Sequence, residues 1–526
     1  MSAARTLRDL LRAAAREAPD AEAFRYRDER LAYRDWDTLA DGLAAALGTH
    51  GVERGSVVAL LLPSTPLYLI AYLAAAGLGA VTTGVNVRYR RSEIGHLLRQ
   101  AGARLLLAVD RWHDVDFRAI VESVRTDLPE LAEILWLDAD DLRRSTAGVV
   151  AALAGETPTP PAAAVDPGDA VAIVFTSGTT GAPKGAWYTH ASLLAVAEIE
   201  ARRHPEGMPR FQTHLAPGLS FAHVGTMTRI AVQIAHLGRS IIHDAFDPGA
   251  VLAAIEGDRL THLGGIPTQL VALLDHPDRP RRNLSSLRSV LVGGAPALPS
   301  LIRRIRDELG VEVSVRYSST EVGIATASVP GDPPDLVATT VGRATPGVEL
   351  RVVDDANRPL PAGATGEVVV RSPATMQGYW RDAEATAATI DAEGWVHTGD
   401  LGHLDAAGYL HLTGRRSEMY IRGGFNVHPA EVEERLAHHP KVGRAAVVGV
   451  PHPILGEVGW AFVVPRDSAE PPTLAELRAF VGAELASFKR PDGLTLLDDV
   501  PLTAMFKIDR RALRTLMEDS PSRTQA

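Results

Sequence analysis

Cysteine is absent from the 526-residue chain. No disulfide, thiolate metal site or cysteine nucleophile is available to it. Clustered basic charge is also lacking. Net charge is −10, and no run of Lys and Arg stands out. Phosphate-backbone binding needs a basic footprint, so this argues against nucleic acid as a main partner. It argues equally against a surface held on anionic lipid. The opening segment, MSAARTLRDLLRAAAREAPD, is an amphipathic helix pattern broken by charges. It lacks the uninterrupted apolar stretch of a secretory signal. The most apolar region, Val57 to Val81, is interrupted by Pro63, Ser64 and Pro66. It reads as a buried strand, a turn and a core helix, with no membrane span. The expectation is a soluble cytoplasmic protein.

Apolar residues make up 46% of the chain and charged residues 22%, which supplies ample core. The length exceeds one hydrophobic core and predicts two to four domains or subdomains. Short Val/Leu/Ile runs alternate with helical patterns: SVVALLLP (56–63), ARLLLAVD (103–110), AEILWLD (132–138), AVAIVFTSG (170–178), RSIIHDAF (239–246), THLGGIP (261–267) and SVLVGG (289–294). Strands apolar throughout, separated by helices, predict parallel sheets covered on both faces. After about residue 340, GVELRVVD, GEVVVRS and GYLHLTGR read as short alternating strands of a small barrel-like unit. After Gly414, helices over Pro429–His438 and Thr473–Leu485 flank strands over Ala445–Val450 and Trp460–Pro465, a compact α+β domain. Segment 157–168, TPTPPAAAVDPG, reads as a linker.

The strongest chemical signal is Phe175-Thr-Ser-Gly-Thr-Thr-Gly-Ala-Pro-Lys-Gly185, directly after an apolar strand. Small hydroxylated residues and glycines there turn several N–H and O–H groups toward one anion. Lys184 adds a positive charge. The NTPase P-loop is a different pattern, because Gly185 follows Lys184 where that loop requires Ser or Thr.

This segment resembles the signature loop of the adenylate-forming superfamily, which includes acyl-CoA synthetases, peptide-synthetase adenylation domains and luciferases. Further motifs follow in the family's order across nearly the whole chain. The resemblance assigns Thr176, Ser177, Gly178, Thr179, Thr180 and Lys184 to the nucleotide. Tyr317-Ser-Ser-Thr-Glu321 resembles the aromatic-Gly-x-Thr-Glu motif. It implies Tyr317 against adenine, Ser318 beside it, Thr320 on the α-phosphate and Glu321 holding Mg2+, with Thr180 as a second metal ligand. A carboxylate beside a triphosphate repels it unless a hard cation bridges the two. Gly294, Ala295 and Pro296, in Leu291-Val-Gly-Gly-Ala-Pro296, resemble the loop flanking adenine and the acyl group.

Gly394-Trp-Val-His-Thr-Gly-Asp400 resembles the ribose-binding turn, where Asp400 accepts from both hydroxyls. His397 receives no role. In the segment 414–433, Arg415 resembles a ribose or phosphate contact, and Ser417 falls at the hinge, where relatives carry Asp or Lys. Gly423 and Gly424 resemble the loop lining the thiol's path. Pro501-Leu-Thr-Ala-Met-Phe-Lys-Ile-Asp-Arg510 resembles the terminal catalytic loop, with Lys507 bridging carboxylate and α-phosphate. Phe506 replaces the usual Gly.

The resemblance implies an N-terminal AMP-binding domain over 1–415 and a mobile C-terminal lid over 416–526. It implies formation of acyl-AMP from ATP–Mg2+ and a carboxylic acid, with Lys507, Thr320 and Glu321 as the catalytic set. Rotation of the lid then admits the acceptor. Coenzyme A is the favoured acceptor, since GGFNVHPAEVE looks like that of fatty and aryl acyl-CoA ligases and no carrier domain follows residue 526. A separate acyl carrier protein or an amine is the alternative. Ser417 and Phe506 keep open a non-catalytic sensor of nucleotide or acyl-adenylate. The acyl pocket is expected to include Phe221, His223, Gly294, Ala295, Ser318, Ser319 and Val322, suiting a medium-chain or aromatic acid. His223 is either a gate to that pocket or an ordinary core or surface histidine.

Overall fold

The structure, a computed structural model, describes residues 4–155, 164–176, 183–204, 210–218, 220–503 and 507–518. Two compact units are present. The first takes most of the chain up to Leu350, with Val370–His397. The second takes Arg351–Val369 and what is described from Thr398 onward.

The first unit holds two large sheets. In the seven-stranded sheet, Val57–Leu61 lies between Val81–Gly84 and Leu105–Val109, all parallel. Ala170–Phe175 joins parallel to Val81–Gly84, and Glu133–Leu137 to Leu105–Val109. Gly185–Thr189 and Gly378–Tyr379 complete one edge antiparallel. These central strands are the apolar runs of the sequence, buried on both faces as parallel sheets require. The helix Pro66–Gly77 shows the same logic. Thr65 is extended at its N-cap, Pro66 occupies its first turn, and its side chains are almost all buried.

The nine-stranded sheet has a parallel centre. Glu312–Ser319, Ser289–Val292, His262–Gly265, Thr213–Leu215, Arg239–Ile242 and Glu22–Tyr26 lie side by side in that order. Gly323–Ala327 turns back antiparallel on Glu312–Ser319. Because the central strands run the same way, their C-terminal ends open along one edge. That edge is where ligands bind in open α/β sheets. The segments after Leu215, Gly265, Val292 and Ser319 all leave from it.

Val396–Leu404 and Leu410–Arg415 pair antiparallel within a four-stranded sheet, in the region read as barrel-like. A separate sheet of long strands, Val442–His452 and Gly456–Pro465, carries the helices Pro429–Ala437 and Leu474–Gly482. The predicted fold class, α/β with parallel sheets in a large N-terminal part and a small α+β C-terminal part, is what the chain adopts.

Candidate active site

Thr176 and Lys184 stand at the mouth of the signature hairpin. The Thr176 N–H donates to the Lys184 carbonyl at 2.9 Å, where the strands Ala170–Phe175 and Gly185–Thr189 diverge. Gly185 is needed there: a Cβ would come 2.6 Å from Ile173 Cγ2. Ser177, Gly178, Thr179 and Thr180 lie outside the described residues, so their assignments rest on sequence.

Lys184 is exposed, and its ammonium stands 5.3 Å above the Tyr379 ring. The Tyr379 phenol donates to Glu321 Oε1 at 3.0 Å. The Ser319 hydroxyl donates to Glu321 Oε2 at 2.9 Å. That same Ser319 oxygen accepts the N–H groups of Glu321 and Val322 at 3.2 and 3.3 Å, fixing the turn. Tyr188 donates to the Thr320 carbonyl, and Met376 N–H to the Glu321 carbonyl at 2.9 Å. Gly323 follows with φ +67°, where a Cβ would meet the Ala374 carbonyl oxygen at 2.9 Å. Burial, then the charge of Glu321, hold the Tyr379 phenol well above its usual range, so it remains a donor.

Ser319 thus contacts Glu321 directly. Ser318 is exposed, Tyr317 is buried at the strand end, and Val322 has no exposed surface. Gly294 has φ +79° on the turn after Ser289–Val292, carrying Ala295 and Pro296 out at the sheet edge. Phe221 packs edge-on against Tyr68 at 5.8 Å. His223 caps the helix Val224–Ala235, its Nδ1 accepting from Gly225 N–H at 3.1 Å. Its placement is therefore structural in part.

In the second unit, Asp400 is buried and Arg415 lies opposite it across the strand pair, Nε to Oδ1 at 2.9 Å. Thr398 Oγ1 accepts the Asp400 N–H at 3.1 Å. Gly423 and Gly424 have φ +57° and +87° between the paired residues Arg422 and Phe425. A two-residue hairpin of the I′ kind needs positive φ at both positions. Lys507 lies beside Thr503. Thr503 N–H donates to the Lys507 carbonyl at 2.7 Å, and Leu502 pairs with Ile508. Phe506 is outside the described residues. Arg510 anchors this loop's exit, bonded to Glu433, Glu418 and the Val447 carbonyl. Ser417 is exposed.

Sequence reasoning missed Tyr379 and Tyr188. Tyr188 lies on the strand that follows the Lys184 loop and Tyr379 on the strand paired with it, remote in sequence from Glu321.

Among the described residues, no group of three or more His, Asp or Glu gathers for a metal. Mg2+ fits Glu321 nonetheless, because it is commonly held by one or two carboxylates together with substrate phosphates.

Two matched family segments bear on identity. AMP-binding enzymes match residues 11–380, and the AMP-binding enzyme C-terminal domain matches 431–507. The chain belongs to the AMP-binding enzyme family. A methyl-dioxo-octahydro-indenyl propanoyl:CoA ligase of Mycobacterium tuberculosis is 39% identical over 511 residues, 95% of this chain and 97% of that one. A feruloyl-CoA synthase of an Amycolatopsis species is 35% identical over 95% of this chain and 96% of its own. The solved amide bond synthetase McbA of Marinactinospora thermotolerans has a TM-score of 0.82 at 31% identity, covering 97% and 99% of the two chains. Among the described residues of this AMP-binding enzyme, no helix is long and apolar enough to cross a membrane.

Proposed function

We propose that this enzyme activates a carboxylic acid with ATP as its acyl-adenylate and transfers the acyl group to coenzyme A. The observation that carries the reading is the Glu321 carboxylate, fixed by Ser319 and Tyr379, with the Lys184 ammonium over the same tyrosine. That is an anion-and-cation site with its carboxylate oriented in advance. Similarity to CoA ligases over the full length supports the same reaction.

Bound Mg2+ would neutralise charge between Glu321 and the phosphates. The chain's own residues do the rest. Thr176, Ser177, Gly178, Thr179, Thr180 and Lys184 bind phosphate oxygens. Tyr317, Ser318, Gly294, Ala295 and Pro296 hold the adenine, and Asp400 with Arg415 the ribose. Thr320 and Lys507 take up the charge that builds as the acid's oxygen attacks the α-phosphorus. The bond from that phosphorus to its bridging oxygen breaks, and pyrophosphate leaves. The thiol then attacks the acyl carbon, AMP departs, and the thiol proton passes to solvent. Gly423 and Gly424 line the thiol's approach, and residues 416–526 move as the unit that exchanges Lys507 for that turn. Cytoplasmic residence accords with a supply of ATP and coenzyme A.

A second reading, an amine acceptor, is favoured by the likeness to an amide bond synthetase. Acid-dependent exchange of labelled pyrophosphate into ATP tests the first half-reaction. Its absence with every acid of a broad panel would overturn the adenylation reading. Acyl transfer to coenzyme A, compared with a holo-carrier protein and with amines, then decides the acceptor.

A further inference from the structure

A cavity of about 50 Å3 lies within the first unit, lined by the helix Val224–Ala235 on one side and by His214 and Ile242 of the nine-stranded sheet on another. One water needs about 10–15 Å3, so it is roomy enough for more than one. Phe221 and Leu69 form an apolar part of its wall, while Arg229, His214 and His243 form a polar part.

Arg229 is the anomaly. Thr226, Arg229 and Gln233 sit at helical spacing on the face that fronts the cavity. Gln233 is already bonded to Ser240 and to the Ala23 carbonyl, at 2.8 and 3.0 Å. The Arg229 guanidinium has no hydrogen bond and no ion pair among the described residues. The carboxylate whose charge reaches it, Glu200, bonds Arg203 at 2.8 Å and Arg316 at 2.9 Å through Oε2, and makes no hydrogen bond to Arg229 among the described residues. Burial, then the charge of Arg316, lower its pKa to about 10, which leaves it cationic at neutral pH. His214 cannot serve as a partner anion, and burial keeps it neutral. His243 Nδ1 is buried without a partner among the described residues. A guanidinium left with open donors in a low-dielectric wall is costly unless something completes it.

We propose that this cavity receives a second oxygen function of the acid, far from the carboxyl that is activated, and that Arg229 recognises it. A ketone and a carboxylate both offer the acceptor a guanidinium needs. The substrate class is therefore an oxo-acid or a dicarboxylic acid, with Phe221 against its hydrocarbon part. This rests on the adenylation reading.

The test uses the full-length enzyme, pyrophosphate exchange, and three acids of one chain length: the plain alkanoic acid, its analogue with a distal ketone, and its analogue with a terminal carboxylate. One of the two oxygenated acids should exceed the plain acid by roughly 100-fold or more in kcat/KM, chiefly through KM, and which one does so separates ketone from carboxylate. In Arg229→Met that ratio should fall to within about threefold of unity. A wild-type ratio near one overturns the proposal. So does an Arg229→Met enzyme that slows on all three acids equally with its preference intact. Should that variant fail to fold, the wild-type ratio decides alone. Exchange that is absent with every acid sinks the adenylation reading itself; exchange indifferent to the distal oxygen sinks only this one.

Discussion

Tyr379 holds Glu321 Oε1 at 3.0 Å while the Lys184 ammonium rides 5.3 Å above the same ring. One side chain thus ties the lysine of the signature loop to the acidic residue of a second motif. Glu321→Gln should lower pyrophosphate exchange by roughly 10²–10³-fold, because it removes the charge facing the metal. Tyr379→Phe should cost less, about tenfold, the worth of one bond to a charged group. Exchange rates over a Mg2+ titration check both. A Tyr379→Phe loss larger than that of Glu321→Gln would contradict the ordering.

Lys507→Ala should depress exchange by at least about 10²-fold and leave ATP binding nearly unchanged, since the ammonium acts on charge developing at phosphorus. Equilibrium binding of ATP beside the exchange assay separates the two effects.

Asp400→Asn should raise the KM for ATP by roughly tenfold through loss of charge-assisted acceptance. Arg415 is 44% exposed, so it stays hydrated and the fold loses under about 1 kcal/mol. Steady-state kinetics and a urea midpoint read the two quantities.

Gly424→Ala isolates backbone strain. A Cβ there meets nothing within 4 Å, yet φ is +87°. The expected cost is about 1–2 kcal/mol, from conformation alone. Acyl transfer should fall further than pyrophosphate exchange. Equal losses in both would separate this turn from the thiol step.

Stability should fall as pH drops from 6.5 toward 4. His190 is fully buried, and burial pushes its pKa down to about 4 against the opposing charges of Asp169 and Asp9. Its Nδ1 accepts the Leu7 N–H at 3.2 Å. Above pH 6.5 the imidazole is neutral in both folded and unfolded chains and contributes no slope. Below it the unfolded chain takes the proton first, so the penalty grows until pH 4 and reaches a few kcal/mol. Urea midpoints from pH 7.5 to 4 should show a shallower slope for His190→Asn than for the natural chain.

The sheets were legible because fully apolar strands between helices leave few architectures open. Val57–Leu61 and Leu105–Val109 lie where their composition places them. The site was legible where a motif is contiguous, as in Thr320-Glu321. It was not legible where the partner comes from elsewhere in the chain. Tyr379 reaches Glu321 only because Gly378–Tyr379 pairs with Gly185–Thr189. Arg229 left one trace, the lone charge in the helical run Val224–Ala235. Only the packing reveals that Glu200 bonds Arg203 and Arg316 and not Arg229.

The register of Phe24 opposite Ser240 also dictates an order of events during synthesis. The N-terminal hairpin cannot join its sheet until the strand Arg239–Ile242 has left the ribosome. At 5–20 residues per second that is a wait on the order of ten to forty seconds. Through that interval Phe24 and Tyr26, buried in the finished fold, lack the strand they pair with.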